Sequence, residues 1–293
     1  MANFAFIGLG IMGLPMAGHL AKRLSEGGHR LRVFDLDEAR LTEMARTYGA
    51  QAATSPKEAA KDADIIFACV GKDNDLEAVT TGPDGTFQVM KKGSLFVDHT
   101  TASAQLARRL SEAANAAGFA FMDAPISGGE PGAVNGVLSI MCGGAQADFE
   151  RASPYMQSYA KSLNHMGPAG SGQLTKMVNQ ICLAGMVQAH AEAVNFGQRA
   201  GLDMEKALGV IGGGAAQSWH LDNRGPSMLA GAFDGFGFAV DWMLKDLRMC
   251  LSEAADNGAE LPVTALVAQF YASLAYQGRG RADMSALLER LRE

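Results

Sequence analysis

Near its start, at residues 3–13, the chain reads NFAFIGLGIMG. The apolar run Asn3–Ile7 is typical of a buried strand, and the pattern that follows predicts a helix from about Met12 to Glu26. Between the two stands a G-x-G-x-x-G pattern, Gly8-Leu9-Gly10-Ile11-Met12-Gly13. After a strand and before a helix this pattern indicates a dinucleotide site, because its glycines allow a tight turn, a close approach of the pyrophosphate and packing of the helix on the sheet.

Asp35 follows directly after the second predicted strand, Leu31–Phe34. An acid at this place can hydrogen-bond the hydroxyls of the adenine ribose and would repel a 2′-phosphate. The sequence therefore predicts NAD as the cofactor, with NADP as the alternative, since Arg32 and Arg40 lie near enough in sequence to weaken the preference. A purely structural alternative is that Asp35 caps the next turn.

The first half of the chain alternates short apolar runs with helical patterns, which is the signature of a parallel sheet covered by helices. Further strands are predicted within residues 64–70, 94–98, 119–122 and 138–141. Long helical periods take over after about residue 165, at 173–200, 239–257 and 262–277. The predicted fold class is α/β, with an N-terminal Rossmann-type doubly wound parallel sheet at 1–165 and an all-α C-terminal domain for substrate and oligomer contacts at 166–293.

Composition and charge favour a small-molecule substrate. The 293 residues carry a net charge of −6 and no run of basic residues, which argues against nucleic acid or a membrane surface as a partner. No apolar run is long enough to span a bilayer, the N-terminal stretch lacks the basic start of a signal peptide, and the six histidines show no metal-ligand spacing. Four separated cysteines in apolar surroundings predict reduced, buried thiols, and reduced thiols indicate a cytoplasmic protein. The histidine spacing predicts that no metal is bound.

Lys176 is the best catalytic candidate, because it lies one turn into a long apolar helical segment. Together with Asn179 and Gln180 it repeats at i, i+3 and i+4, which makes one polar stripe on that helix. Such a stripe faces either a site or solvent, where a lysine extends its amine into water.

The turn Ser127-Gly128-Gly129 is a second candidate, since it follows a predicted strand. A serine beside two glycines exposes backbone amides that can bind an anion. An ordinary tight turn has the same composition, so the residue types alone leave both interpretations open.

Four ordered motifs make the chain similar to a known family. They lie at residues 6–17 (FIGLGIMGLPMA), 123–129 (DAPISGG), 170–179 (GSGQLTKMVN) and 245–247 (KDL). On these motifs and their order the chain resembles the β-hydroxyacid dehydrogenases, the group of 3-hydroxyisobutyrate dehydrogenase and tartronate semialdehyde reductase. The resemblance spans nearly the whole chain. It implies an NAD-dependent enzyme that interconverts a short-chain 3-hydroxy acid and its semialdehyde by hydride transfer.

The resemblance also implies roles for individual residues. Lys176 would be the general acid/base with Asn179 as its polar partner, and both would contact the substrate, whose carboxylate binds at Ser127, Gly128 and Gly129. The positions expected to contact the cofactor are Gly8, Leu9, Gly10, Ile11, Met12, Gly13, Asp35, Val70, Gly71, Thr101 and Lys245. For Lys245 the structural alternative is an ion pair with Asp246 or Glu253. Residues 69–72 read CVGK where the family usually has Leu-Pro, which leaves the contacts of that turn open.

Substrate selection is expected in the helical region, where residues 218–224 read SWHLDNR. Trp219 either walls a pocket or, more simply, packs in a core, and Arg224 can pair with a second carboxylate or with another subunit. The alternative activity is reduction of tartronate semialdehyde, glyoxylate or succinic semialdehyde with NADPH. A nucleotide-binding relative without catalysis is disfavoured because the lysine, serine and asparagine of the motifs are all present. The long apolar helices predict a homo-oligomer, either a dimer or a tetramer.

Overall fold

The chain forms two packing units within residues 1–292, which are the residues that the computed structural model describes. The first unit runs from Met1 to Lys176, and the second begins at Met177. Among the described residues, the first unit contributes nine strands to a single sheet. They are β1 Asn3–Ile7, β2 Arg30–Phe34, β3 Gln51–Ala52, β4 Ile65–Ala68, β5 Leu95–Asp98, β6 Ala120–Asp123, β7 Ile126–Ser127, β8 Leu138–Gly143 and β9 Ala160–Gly167.

The sheet is parallel over six strands and mixed at one edge. In the order β3-β2-β1-β4-β5-β6 all neighbours are parallel, as predicted. β8 then pairs antiparallel with β6 and with β7, and β9 pairs parallel with β8. β6 and β7 run in the same direction along β8, and the chain reverses between β7 and β8. The ten residues 128–137 that connect these two strands are fewer than the dozen or more that a parallel crossover needs.

Helices cover both faces of this sheet. The helices of the first unit are α1 Gly13–Glu26, α2 Glu38–Tyr48, α3 Pro56–Ala60, α4 Asp73–Thr80, α5 Ala104–Ala117, α6 Gly129–Val134 and α7 Gln146–Met156. Side chains of a strand alternate between faces, so Phe4 and Phe6 of β1 pack in one core with α1 and α7. Ala5 and Ile7 pack in a second core with α3 and α5. The doubly wound arrangement predicted from the apolar runs is confirmed.

The second unit is helical. Its helices are α8 Ser171–Arg199, which begins in the first unit, α9 Met204–Ile211, α10 Trp219–Ala230, α11 Val240–Asn257 and α12 Pro262–Leu274. A π-helical turn, Ala275–Arg279, and a 3-10 helix, Met284–Leu291, follow. α8, α10, α11, α12 and the 3-10 helix share one apolar core. The long helices at 173–200, 239–257 and 262–277 are thus confirmed to within a few residues. The last one ends at Leu274, and the π-helical turn that follows contains Gly278, with a φ of +82°.

The residues that the structure describes contain neither a membrane-spanning helix nor a cluster of metal ligands. No helix within residues 1–292 combines the length and the apolar character needed to cross a bilayer. Nor do the same residues contain a group of three or more His, Cys, Asp or Glu side chains placed to hold a metal ion.

The exposure of Cys182 corrects one expectation. Cys142 and Cys250 are buried and Cys69 is half-buried, but Cys182 on α8 is exposed. Val178, one turn earlier on the same helix, is also exposed, at 61%. The two residues share a helix face, so a stripe that is apolar in sequence is not covered by any described residue.

Candidate active site

The glycine-rich turn after β1 is shaped for a bound dinucleotide. Gly8 has a φ of +87°, and a Cβ on it would clash with the carbonyl oxygen of Cys69. A Cβ on Gly13 would clash with the carbonyl oxygen of Gly8, so α1 approaches the turn only because glycine stands there. A Cβ on Gly10, in contrast, would meet no atom within 4 Å beyond its chain neighbours. Gly8 and Gly13 therefore allow close packing of the backbone within the turn, and Gly10 leaves the backbone accessible to a pyrophosphate.

Asp35 is bonded to the glycine-rich turn. Its Oδ2 accepts a hydrogen bond from the amide of Leu9 at 2.5 Å, and its Oδ1 accepts one from the amide of Asp37 at 2.8 Å. The bond to Asp37 is the turn cap considered as the structural alternative for Asp35, and Asp37 in turn is the N-cap of α2. Nη1 of Arg40 lies 3.7 Å from Oδ1 of Asp35, whereas Arg32 donates to a backbone carbonyl of another segment. The carboxylate thus stands beside the turn, as an acid facing an adenine ribose requires.

The loops after β4 and β5 are joined through Thr100. The amide of Val70 donates to Oγ1 of Thr100 at 3.0 Å. Gly71 follows Val70, and Thr101 follows Thr100. The three predicted cofactor positions after β4 and β5 therefore lie in two connected loops at the carboxyl edge of the sheet, where α/β folds bind nucleotides.

Buried titratable groups cluster at the ends of β5 and β6. Burial raises the pKa of Asp98 to about 8 and that of Asp123 to about 6, and in both cases hydrogen bonds from backbone amides oppose the shift. Burial lowers the pKa of His99 to about 4. Its neutral ring lies 2.7 Å from the carbonyl oxygen of Ala124 through Nδ1, so Nδ1 donates and Nε2 accepts from the Tyr159 hydroxyl at 3.0 Å. At pH 7 Asp98 is therefore protonated and Asp123 is ionised.

The turn after β7 exposes backbone amides. Gly128 and Gly129 have φ values of +131° and +63°, which L side chains rarely adopt. α6 begins at Gly129, so the first amides of that helix have no acceptor inside it. Ser127 is half-buried at the start of the turn. This geometry fits an anion-binding turn and an ordinary tight turn alike, so the anion site stays a prediction.

Lys176 is buried, with 8% of its surface exposed, in the second turn of α8. The first turn of this helix is fixed to the sheet. Asp123, the last residue of β6, accepts from the amide of Gly170 at 2.7 Å and from the amide of Gln173 at 2.9 Å. Nε2 of Gln173 donates to the carbonyl oxygen of Thr100 at 2.7 Å. α8 therefore starts at the edge of the sheet that also carries the predicted cofactor loops.

In the second unit, Asn179 and Lys245 are linked through two other residues. Nδ2 of Asn179 donates to Oε1 of Gln180 at 2.8 Å, and Nε2 of Gln180 donates to Oδ2 of Asp246 at 2.6 Å. Nζ of Lys245 lies 3.2 Å from the other carboxylate oxygen of Asp246, which is buried. The ion pair considered as the structural alternative for Lys245 is thus present, as part of a chain that reaches Asn179.

Two polar side chains that hold the candidate residues were given no role from the sequence: Asp123 and Gln173. Gln173 had a usable signal, since it lies three residues before Lys176 and therefore on the same helix face. Asp123 begins the motif at residues 123–129, but its role as an acceptor had no local signal, because its partners lie about fifty residues away in sequence. Asp246 was expected as an ion-pair partner of Lys245, and the structure shows that pair.

Trp219 corrects the simpler interpretation of residues 218–224. It is 50% exposed at the start of α10 and does not pack in a core, because Ser218 caps the helix and places Trp219 in its outer first turn. Nε of Arg224 lies 3.2 Å from Oδ2 of the buried Asp283, and its guanidinium lies over the rings of Trp219 and Phe236. Arg224 therefore has its carboxylate partner inside its own chain.

Comparisons with known proteins agree with this geometry. Residues 3–167 match a family model described as the NAD binding domain of 6-phosphogluconate dehydrogenase. Residues 170–291 match one described as NAD-binding of NADP-dependent 3-hydroxyisobutyrate dehydrogenase. A 2-hydroxy-3-oxopropionate reductase of Escherichia coli K12 is 35% identical over 289 residues, 99% of this chain and 97% of that protein. The chain belongs to the β-hydroxyacid dehydrogenase family.

Other members of the β-hydroxyacid dehydrogenase family are similar over the full length. A Shewanella frigidimarina protein described as an uncharacterized oxidoreductase is 50% identical over 291 residues, 99% of this chain and 98% of that protein. The structure of the 3-hydroxyisobutyrate dehydrogenase of Mycobacterium tuberculosis, described together with L-serine, has a TM-score of 0.87 at 30% identity and covers 100% of both chains. This β-hydroxyacid dehydrogenase is thus an NAD(P)-dependent oxidoreductase with a Rossmann-type sheet and a helical C-terminal region.

Proposed function

We propose that this protein is an NAD-dependent oxidoreductase that interconverts a short-chain 3-hydroxy acid of the 3-hydroxyisobutyrate type and its semialdehyde, with Lys176 as general acid/base. The observation that carries the proposal is the burial of Lys176 on a helix whose first turn is bonded to the residues at the ends of β5 and β6. A buried amine on this helix of a hydroxyacid dehydrogenase would be able to exchange a proton with a substrate hydroxyl.

The residues that would hold the cofactor fit a dinucleotide. The open backbone at Gly10 and the bonded carboxylate of Asp35 suit a pyrophosphate and an adenine ribose, respectively. When bound, the cofactor would supply hydride transfer, as the acceptor in oxidation of the hydroxyl-bearing carbon and as the donor in reduction of the aldehyde. The full set assigned to the cofactor is Gly8, Leu9, Gly10, Ile11, Met12, Gly13, Asp35, Val70, Gly71, Thr101 and Lys245.

The substrate is assigned to the turn after β7 and to the polar stripe of α8. Backbone amides of Gly128 and Gly129, with the hydroxyl of Ser127, would bind its carboxylate. Lys176 would remove the hydroxyl proton during oxidation and return it during reduction. Asn179, one turn later on the same helix, would orient the reacting oxygen.

Arg40 favours a second candidate, a reductase of tartronate semialdehyde, glyoxylate or succinic semialdehyde that uses NADPH. Its guanidinium is 39% exposed and close to Asp35, where it can pair with a 2′-phosphate. The carboxylate of Asp35 opposes that pairing by repulsion. We expect NAD to give a kcat/KM at least about tenfold above NADP, a difference of about 1.4 kcal/mol, and the reverse preference would favour the reductase.

We also infer that the protein is a homo-oligomer with a domain boundary at residues 165/166. Exposed apolar side chains on α8 and α12 support association: Val178, Phe196, Val263 and Leu266. The two family models meet between residues 167 and 170, which supports the boundary. A cytoplasmic location stays a prediction from the sequence.

The test combines a substrate panel with the variant Lys176→Ala. Short 3-hydroxy acids are supplied with NAD or NADP, and the absorbance of the reduced cofactor is followed. We expect turnover with at least one 3-hydroxy acid and a loss of kcat of about 100-fold or more in Lys176→Ala, because a positioned general acid/base contributes at least that much. The Kd for NAD, measured by calorimetry, should stay unchanged.

Lys161→Ala is the matched control, because Lys161 is an exposed lysine on β9. It should leave kcat and the Kd for NAD at wild-type values. Activity confined to 2-hydroxy acids would contradict the proposed reaction. Wild-type turnover by Lys176→Ala would contradict the role of the lysine.

A further inference from the structure

Asp123 occupies a socket at the start of α8. Its fully buried carboxylate accepts from the amide of Gly170 through Oδ1 at 2.7 Å and from the amide of Gln173 through Oδ2 at 2.9 Å. The first amides of a helix have no acceptor inside the helix, and a negative charge is favoured at that end. The carboxylate therefore supplies the missing acceptors in the turn that precedes Lys176.

Two glycines make room for this carboxylate. A Cβ on Gly143 of β8 would stand 2.6 Å from Oδ1 of Asp123. A Cβ on Gly172 of α8 would meet the carbonyl oxygen of Met141 and would also stand 2.8 Å from Oδ2 of Asp123. Gly143 is also the residue that pairs with Asp123 between β6 and β8. Glycines on the sheet edge and on the helix thus let the two approach each other with the carboxylate between them, which independently indicates that the contact is built into the fold.

Asp123 is the group of this region that changes charge just below neutral pH. Burial is the main cause that raises the pKa of Asp98 on β5 to about 8 and that of Cys142 on β8 to about 12, and the negative charge of Asp123 adds to both shifts. Lys176 follows on α8, and Arg108 of α5 lies beside the start of that helix. Burial raises the pKa of Asp123 to about 6, against the hydrogen bonds of the α8 amides. Asp98 and Cys142 thus keep their protons at pH 7, while Asp123 has lost its own.

We propose that Asp123 is a positioning residue: its ionised carboxylate holds the first turn of α8 at the sheet edge and thereby sets the place of the Lys176 amine. This inference rests on the proposed role of Lys176. A protonated carboxyl has one hydroxyl, which would oppose an amide N–H of α8 as donor against donor. Gain of a proton therefore loosens the turn, and a misplacement of about 1 Å at a reacting group can lower a rate about 100-fold.

The pH dependence of kcat in the direction of reduction distinguishes an effect of Asp123 from an effect of Lys176. During reduction Lys176 must carry a proton, so its own titration lowers the rate only at high pH. A loss of kcat at low pH in this direction needs another group. For the wild-type protein we expect kcat of semialdehyde reduction to fall as the pH drops through about 6, with little change in the KM for NADH.

Asp123→Asn tests the assignment directly. Asparagine keeps the size of the side chain, but it offers one acceptor oxygen, and its NH2 group opposes the second amide. We expect kcat at neutral pH to fall at least about tenfold, and the low-pH loss to disappear while the high-pH loss remains. Asp203→Asn is the control, since it makes the same change at the N-cap of α9, and its profile should match the wild type.

The outcomes separate the two proposals. An Asp123→Asn protein with wild-type kcat and an unchanged low-pH loss would reject the positioning role, provided that Lys176→Ala is inactive. An active Lys176→Ala would reject the proposed chemistry itself. If Asp123→Asn does not fold, the wild-type profile decides, because a kcat for reduction that stays flat down to about pH 5 contradicts the inference.

Discussion

A methyl group added at Gly10 should weaken cofactor binding, whereas the same group added at Gly13 should lower the stability of the fold. The methyl of Gly10→Ala enters open space, so we expect wild-type stability but a Kd for NAD raised at least about tenfold, because the pyrophosphate needs that space. The methyl of Gly13→Ala clashes with the carbonyl oxygen of Gly8, and we expect the free energy of unfolding to fall by about 1–3 kcal/mol. Urea denaturation and NAD titration of both variants check the pair. Tight NAD binding by Gly10→Ala would contradict the assignment of the cradle.

The same residues show how far single positions can be predicted. The structural roles of Gly8, Gly10 and Gly13 can be predicted from their spacing in the sequence, because the strand, the turn and the helix follow one another directly in the chain. The role of Asp123 cannot, since its carboxylate meets amides that come from a distant part of the sequence. Local spacing carries no information about such a contact.

Among the elements, α8 depends on Gln173 for its link to the loop after β5. This buried side chain donates to the carbonyl oxygen of Thr100 and accepts from the amide of Ala102. Gln173→Ala would leave two buried backbone groups without partners, each costing about 1–3 kcal/mol of unfolding free energy. We expect a clear fall in the urea midpoint and a raised KM for NAD, because Thr101 lies in the released loop.

Gln146→Ala is the matched control for Gln173→Ala. Gln146 is exposed on α7 and bonds only along its own helix, to Glu150, so its loss should change the unfolding free energy by less than about 0.5 kcal/mol. Equal stability of the two variants would show that the Gln173 bonds do not anchor α8.

Strands with a clear apolar pattern were predicted, and strands without one were not. β4 and β5 are buried at every residue, so their sequences are continuous apolar runs. β9 has no buried residue, and its polar sequence gave no signal. β7 has two residues, too few for any pattern, and this is why the mixed edge of the sheet was not foreseen.

At the scale of the whole molecule, Asp98 makes stability depend on pH. Its folded-state pKa of about 8 lies above the ordinary value for aspartate, so the native state keeps a proton that the unfolded chain releases. The free energy of unfolding therefore falls as the pH rises from about 4 to about 8, by at most about 1.4 kcal/mol per pH unit, and this contribution is constant above pH 8. Asp98→Asn should remove this contribution.

The difference in unfolding free energy between Asp98→Asn and the wild type separates the contribution of Asp98 from the contributions of other groups. His99 acts in the opposite sense, because its lowered pKa makes the native state less stable as the pH falls from about 6.5 to about 4. That contribution is common to both proteins and cancels. Urea unfolding should show the stability of the variant, relative to the wild type, rising with pH up to about 8. A constant difference would mean that Asp98 is not protonated in the folded chain.

The fold class could be predicted because alternation of strands and helices is a property of long stretches, which tolerate local errors. The choice of substrate could not, because it depends on a few side chains such as Trp219, whose exposure followed from a helix cap and not from its apolar character.

The exposed thiol of Cys182 has a practical consequence. Two of the other cysteines are buried and Cys69 is half-buried, so in the separate chain a maleimide dye should react first at Cys182, and a second subunit packed on the Val178 face of α8 would slow that reaction. α8 would then carry a fluorescent reporter two turns beyond the lysine, attached without any engineering of the chain.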